Sequence, residues 1–228
     1  MRTPSRAASL AVVLVCAAAT PAAALPAMTR SEASSLAKAA NLTAADLPGF
    51  TASRPDSSSG DPRADARFAK CAGMVPSKNA LADETSSDFV RQTDSSYTAI
   101  SSDVQVMPNR SLVGKDMRAA QKPRARKCLS AALRRQLESQ GTDVTSLSVS
   151  LMRPGVPGGF GYRIKVVARA QGVKVPVYID MLAFGDGPVE AGVILTSSLR
   201  PAARSEENRL LDIVRTRVSG QLNKDAII

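Results

Sequence analysis

Four segments in the C-terminal half of the chain alternate apolar and polar residues. They are residues 146–151 (SLSVSL), 160–169 (FGYRIKVVAR), 173–181 (VKVPVYIDM) and 189–195 (VEAGVIL). A period of two is typical of antiparallel strands that bury one face. Gly172 and the run Gly185-Asp186-Gly187 supply turn residues between these segments, as tight hairpins require. The stretch therefore predicts an antiparallel sheet of four strands with one buried face.

Helical patterns flank these strands on both sides. Residues 202–222 carry one apolar stripe and predict a closing helix, and residues 64–75 predict another. The helical pattern at 112–139 contains Pro123, whose ring cannot be accommodated inside a helix but suits a first helical position. We therefore predict a break near Gln121 and Lys122, with a second helix beginning at Pro123.

Two further strands are predicted at residues 86–91 and 97–107. The order of elements predicts an α+β fold. In this fold an antiparallel sheet, with about four C-terminal strands plus one or two earlier ones, packs against helices and ends with a C-terminal helix.

The first 24 residues have the features of a secretory signal. Arg2 and Arg6 precede an apolar run at residues 7–19, and three alanines ending at Ala24 fit cleavage by signal peptidase. The alternative is a lipid anchor at Cys16, although a large residue precedes this cysteine. The expected location is secreted or extracytoplasmic.

The remaining chain is predicted to contain one domain. We expect a flexible N-terminal segment at 25–41, as either a frayed helix or a linker, followed by a single α+β domain at 42–222 and a tail at 223–228. No later apolar stretch is long enough to span a bilayer.

Signal removal leaves two cysteines, Cys71 and Cys128. An even pair in an exported chain predicts a disulfide. The alternative is a metal or redox pair. Two cysteines without His and without C-x-x-C spacing make a poor zinc site, so no metal or cofactor is predicted.

Residues with catalytic potential are sparse. The chain has no His, which removes the commonest general base and metal ligand. Residues 35–38 (SLAK) match S-x-x-K, but the S-D-N and K-T-G elements of that chemistry are absent. Residues 158–161 (GGFG) lack the spacing of a phosphate loop. We predict no enzymatic activity.

Asp180 points away from the face of Ile179 and Met181, and needs a partner if a helix covers it.

Charge is concentrated in one segment. The net charge is +10, and residues 110–135 hold nine bases and one acid. A basic surface attracts anions, which in an exported protein are anionic lipids or wall polymers. Nucleic acid is an unlikely partner because no aromatic residues are interleaved to stack bases. The alternative is an ordinary solvated helix face. The candidate anion-binding residues are Arg118, Lys122, Arg124, Arg126, Lys127, Arg134 and Arg135.

The chain also contains five short motifs, each present once: residues 46–50 (DLPGF), 68–73 (FAKCAG), 88–89 (DF), 102–106 (SDVQV) and 127–129 (KCL). This layout, over residues 42–222, resembles actinobacterial secreted proteins and lipoproteins related to the extracellular sensor domain of PknH-type kinases. The resemblance implies a PsbP-like α+β sandwich that binds a ligand or partner and has no catalytic residues. Those sensors usually carry two disulfides, whereas this chain can form one.

The sequence thus predicts an exported, non-enzymatic binding domain of the cell envelope. Its ligand is a small molecule, a lipid or an anionic envelope polymer. The alternative is a structural or adaptor protein that binds another protein through the sheet or through residues 42–50.

Overall fold

A computed structural model describes residues 28–53, 62–170 and 172–225. The predicted signal sequence, its cleavage site and Cys16 lie outside these residues. The described chain forms five helices and eight strands, in the order α1 (Arg30–Ala40), β1 (Thr51–Ser53), α2 (Pro62–Ala72), β2 (Ala82–Thr85), β3 (Asp88–Gln92), β4 (Tyr97–Val106), α3 (Arg110–Ala120), α4 (Pro123–Ser139), β5 (Asp143–Met152), β6 (Phe160–Ala170), β7 (Val173–Asp186), β8 (Val189–Ser198) and α5 (Arg204–Asp225).

All eight strands belong to one antiparallel sheet, in the order β1-β3-β4-β8-β7-β6-β5, with β2 also paired to β4. Strands β5 to β8 form a meander in which each strand pairs with the next one. Strand β4 joins this meander to β2 and β3 through its pairing with β8. The α+β fold, the antiparallel sheet and the closing helix are confirmed.

Helices cover both faces of the sheet, so the prediction of a single buried face is wrong. On the first face, here called the α5 face, α1 packs over β2 and β4, and α5 packs over β7 and β8. On the second, the α4 face, α2, α3 and α4 pack over β5, β6 and β7. Strand β7 contributes to the cores on both faces: Leu182 and Phe184 belong to the core of the α5 face, and Ile179 and Met181 belong to the core of the α4 face. Each strand does alternate, but β6 and β8 bury opposite faces.

Helix α1 corrects the predicted flexible segment at 25–41. Thr29 starts the helix with a capping box to Glu32, which satisfies two backbone donors. The face that meets the sheet is buried and consists mainly of small residues: Ala33, Leu36, Ala37 and Ala40. Alanine carries little hydrophobic signal, so the sequence pattern did not separate this helix from a linker.

Two helix ends also differ from prediction. Helix α2 ends at Ala72 rather than near residue 75, because Gly73 has a positive φ of 80° that reverses the chain. Helix α5 continues to Asp225, so the first part of the predicted tail at 223–228 is helical. The buried apolar residues of α5, all at 0% exposure, are Leu210, Leu211, Val214 and Val218.

Candidate functional site

The outward surface of α3 and α4 is basic because the one acid of residues 110–135 turns inward. Asp116 is 2% exposed and accepts a 2.8 Å hydrogen bond from the backbone N–H of Val75. The nine bases of residues 110–135 are exposed, except for Arg134, which is half-buried. Among the described residues, only Arg134 has a partner within ion-pair distance, at 3.4 Å from Glu138. The surface therefore carries cations with few local counter-charges.

Part of this surface forms an open groove between α4 and the edge of the sheet. Its volume is about 450 Å³, and it is lined by Arg126, Lys127, Ser130, Ala131, Arg134 and, from β5, Val149. Arg126, Ser130 and Arg134 follow one another at intervals of four residues, which keeps them along one flank of a helix. Three of the seven predicted residues, Arg126, Lys127 and Arg134, are thus brought together here. We call this the β5 groove.

The other four predicted residues lie outside the β5 groove. Arg135 follows Arg126 by nine positions, and at roughly 100° per residue this places it on the opposite side of α4. Lys122 and Arg124 lie where α3 meets α4, a corner fixed by the Tyr162 hydroxyl, which donates to the carbonyl of Ala120. The predicted patch is therefore one basic surface rather than one pocket.

Arg118 lines a second groove, of about 420 Å³, with Arg110 and with three glycines from two turns. This groove unites two glycine motifs that the sequence analysis treated separately: Gly158 comes from the first, and Gly185 and Gly187 come from the second. Gly185 has a packing role, because a Cβ there would lie 2.6 Å from Val113 Cγ1 of α3. Two arginines beside exposed backbone can attract an anion.

A disulfide joins Cys71 and Cys128, with a Cα–Cα distance of 5.9 Å. This confirms the predicted pair. The bond fastens α2 to α4 on the α4 face, because Cys71 lies in the last turn of α2 and Cys128 in the first half of α4. It therefore supports the helix that carries the β5 groove.

Asp180 has the buried partner that the sequence analysis required. The Arg163 guanidinium forms two hydrogen bonds to Asp180, of 2.7 and 3.0 Å, and a third to Glu207 of α5, of 2.5 Å. Both carboxylates are 0% exposed. Burial and the neighbouring Asp180 raise the pKa of Glu207, while Arg163 opposes this rise. This ion cluster connects β6, β7 and α5, so Asp180 has a structural role.

A second group of carboxylates on the α4 face was not anticipated. Burial, together with Asp116 and Asp103, raises the pKa of Glu190 to about 8. Burial and Asp83 raise the pKa of Asp103 to about 7. Within the described part of the chain, Glu190 Oε1 is buried and has no hydrogen-bond partner. The strand register places Glu190 opposite Gln105 and brings Asp103 one row away, which residue spacing along the chain does not reveal.

Other sequence candidates find different roles. In the S-x-x-K segment, Lys38 lies 3.7 Å from Glu84, and both Ser35 and Lys38 are exposed on α1. Across the described residues, no group of three or more His, Cys, Asp or Glu side chains is arranged to hold a metal ion. The described helices also include none that is long and apolar enough to cross a membrane.

The segment at 42–50, one of the two binding surfaces suggested for an adaptor role, contributes two buried residues to the core, while Thr43, Ala44, Ala45, Pro48 and Gly49 are exposed. Leu42 and Leu47 are 3% and 1% exposed. Asp46 pairs with Arg217 of α5 at 2.7 Å, which helps to lower the pKa of Asp46. The buried leucines and the Asp46–Arg217 pair anchor the segment to the core and to α5, and the adaptor role of its exposed residues stays a prediction.

No known family model matches the chain, and a comparison with curated proteins finds no relative. Among solved structures, the chain is similar to the extracellular domain of PknH from Mycobacterium tuberculosis, with 11% sequence identity. The match covers 70% of this chain and 76% of that domain, with a TM-score of 0.32. This likeness is distant, and the function proposed below rests on the chain's own geometry.

Proposed function

We propose that the protein is an exported, non-enzymatic binding domain of the cell envelope. It holds an anionic envelope component, a lipid headgroup or a wall polymer, on the outward surface of α3 and α4. The observation that carries this proposal is the segregation of charge: the nine bases of residues 110–135 lie on this surface, while the single acid of those residues, Asp116, is buried. Cations without nearby acids concentrate anions and accelerate their encounter with the protein.

Two further observations support the location and the absence of catalysis. The Cys71–Cys128 disulfide is a bond that persists in oxidising compartments outside the cytoplasm. The lack of His in the sequence disfavours the commonest acid–base and nucleophilic mechanisms. A binding role requires neither.

The test compares binding to anionic vesicles, neutral vesicles and insoluble wall material at several salt concentrations. In the patch variant, Arg118, Lys122, Arg124 and Arg126 are replaced by Gln. We expect its binding to anionic targets to fall on the order of tenfold, with a weaker salt dependence, because fewer charges face the ligand. Preference for vesicles or for wall material identifies the source of the anion.

A matched control removes the same amount of charge from another surface. Lys165, Arg169, Lys174 and Arg200 are exposed residues outside α3 and α4, and their change to Gln should leave binding within about twofold of wild type. Equal losses in the two variants would mean that net charge alone acts. Unchanged binding in the patch variant would overturn the proposal.

A further inference from the structure

Strand β5 leaves one long edge of the sheet open. In the described part of the chain it pairs only with β6, at the end of the strand order. Residues 145–151 (TSLSVSL) contain no charged residue, no proline and no glycine. Natural edge strands are usually shortened, charged or interrupted by proline, because their unpaired N–H and C=O groups attract other strands. At the opposite end of the sheet, β1 has three residues, whereas β5 has ten.

The β5 groove runs beside this open edge. Val149 is the strand residue in its lining, and Arg126, Lys127 and Arg134 supply its charge. Side chains of a strand alternate between the two faces of a sheet. Every second side chain of a strand added to β5 would therefore lie on the α4 face, next to these cations. Acidic side chains at those positions would complement the positive charge of Arg126, Lys127 and Arg134.

The opposite face of the same edge has a different character. Ser146, Ser148 and Ser150 are exposed there, since they alternate with Leu147 and Val149 of the α4 face. Lys165 of β6, the partner of Ser148, is also exposed on that side. The remaining side chains of an added strand would thus meet small polar groups, for which polar or small residues suffice.

A second copy of this chain fits the edge poorly. Antiparallel pairing of two β5 strands about a two-fold axis would form one continuous sheet, with both α4 helices on the same face. Arg126, Lys127 and Arg134 of each copy would then face their equivalents across the junction, and this repulsion opposes self-association. An acidic partner removes that conflict.

We propose that the outer edge of β5 accepts an extended acidic polypeptide segment as an additional strand, whose alternate carboxylates bind Arg126, Lys127 and Arg134. Backbone hydrogen bonds provide the affinity, and the flanking cations select the partner. This interaction goes beyond the proposed binding of lipid or wall polymer, because a headgroup or polysaccharide has no strand backbone to pair with β5.

The experiment uses three synthetic peptides of the same length as β5 and the oxidised, full-length mature protein. The first alternates Glu with Val and Thr, the second has Lys in place of Glu, and the third keeps every Glu but has Pro between them. Binding is followed by fluorescence anisotropy, and backbone amide hydrogen exchange locates the site. We expect only the first peptide to bind and to slow exchange at the β5 amides that point away from β6.

Two charge variants complete the test. Changing Arg126, Lys127 and Arg134 together to Gln should weaken binding of the acidic peptide on the order of tenfold. Changing Arg118, Lys122 and Arg124 to Gln removes the same charge outside the β5 groove and should alter binding by less than about twofold. Unfolding curves of both variants verify that each is folded.

Three outcomes would overturn the proposal. The proline-containing peptide binds as well as the first peptide, which means plain electrostatic attraction. The first peptide fails to bind or leaves β5 exchange unchanged. The β5 amides are already protected in a concentration-dependent dimer, which means that a second copy occupies the edge. None of these results bears on binding of vesicles or wall material, so the two proposals fail separately.

Discussion

Two groups of carboxylates lie on opposite faces of the same sheet, and only one is paired with a cation. On the α5 face, Asp180 and Glu207 are fully buried and share the Arg163 guanidinium. On the α4 face, Glu190 is crowded by Asp103 and Asp116, and none of the three has a Lys or Arg within ion-pair distance among the described residues. The same residue types therefore experience opposite environments a few strands apart.

This difference shows that the role of a buried carboxylate depends on whether a cation lies beside it, as much as on burial. A charge cluster that is closed by a guanidinium ties elements together and becomes costly to open. Acids without a cation retain their protons instead, because ionisation in a dehydrated site is unfavourable. The first cluster should thus determine how firmly α5 is held, and the second should make the stability of the fold depend on pH.

The largest effect on stability is expected from Arg163→Met, which removes the guanidinium from the paired cluster of carboxylates. Asp180 and Glu207 would be left buried without their cation. The free energy of unfolding should fall by about 3–5 kcal/mol, measured by urea unfolding at neutral pH. The loss should shrink on acidification, because protonation removes the unpaired charges.

Lys165→Met is the control, since Lys165 lies two residues along β6, is exposed and has its ammonium group 5.8 Å from the Tyr178 ring rather than in an ion pair with any described residue. It should change stability by less than about 1 kcal/mol. Adding Asp180→Asn and Glu207→Gln to Arg163→Met should restore part of the lost stability. Similar losses in Arg163→Met and Lys165→Met would show that the buried cluster has no special role.

An intermediate effect is expected from the pH dependence of the unpaired cluster. Because the pKa of Glu190 is raised to about 8 in the folded chain, the folded state binds more protons than the unfolded state between about pH 5 and 8. Stability should therefore decrease as pH rises through this window, by roughly 2 kcal/mol once solvent relaxation around the carboxylate is allowed for. Thermal unfolding across this range measures the slope.

Glu190→Gln tests whether Glu190 is responsible for that slope. The groups that face it are Asp103 on β4 and Asp116 on α3, with Asp83 and Lys115 acting on these two in turn. The variant should match wild type near pH 5 and exceed it above pH 8. Glu138→Gln, on the exposed face of α4, should leave the slope unchanged. A slope that persists in Glu190→Gln would assign it to Asp103 instead.

The smallest effect is expected at the rim of the paired cluster. Arg204 also contacts Glu207, but at 3.4 Å and with its side chain 54% exposed. Exposed ion pairs contribute little, so Arg204→Met should cost less than about 1 kcal/mol in urea unfolding. A loss of stability as large as that of Arg163→Met would mean that Arg163 and Arg204 stabilise Glu207 equally, whatever their exposure.

Local sequence patterns predicted the parts of the fold that depend on local rules. The four C-terminal strands were predictable because each alternates over six or more residues, as residues 189–195 do. The break between α3 and α4 was predictable because Pro123 has no backbone N–H, and α3 does end at Ala120. The disulfide was predictable because two cysteines lie outside the predicted signal sequence.

Long-range features escaped prediction for physical reasons. Strand β2 (ADET) has a single apolar residue and exists because β4 pairs with it. Arg163 reaches Glu207, 44 residues away, only because α5 packs over β7 and β8 next to β6. For the candidate site, helical spacing could group Arg126 with Arg134. Their position beside an open sheet edge depends on the strand order, which no periodicity encodes.

The Cys71–Cys128 bond also limits how far this protein can be stretched. The two cysteines are separated by 57 positions, and the closed ring between them contains α3 and the strands β2 to β4. A pulling force applied to the two ends passes directly through the sulfur atoms and leaves the ring slack. At roughly 3.4 Å per residue, the oxidised chain would extend about 190 Å less than the reduced one. The redox state of the surroundings would thus set the maximum extension of this chain under tension.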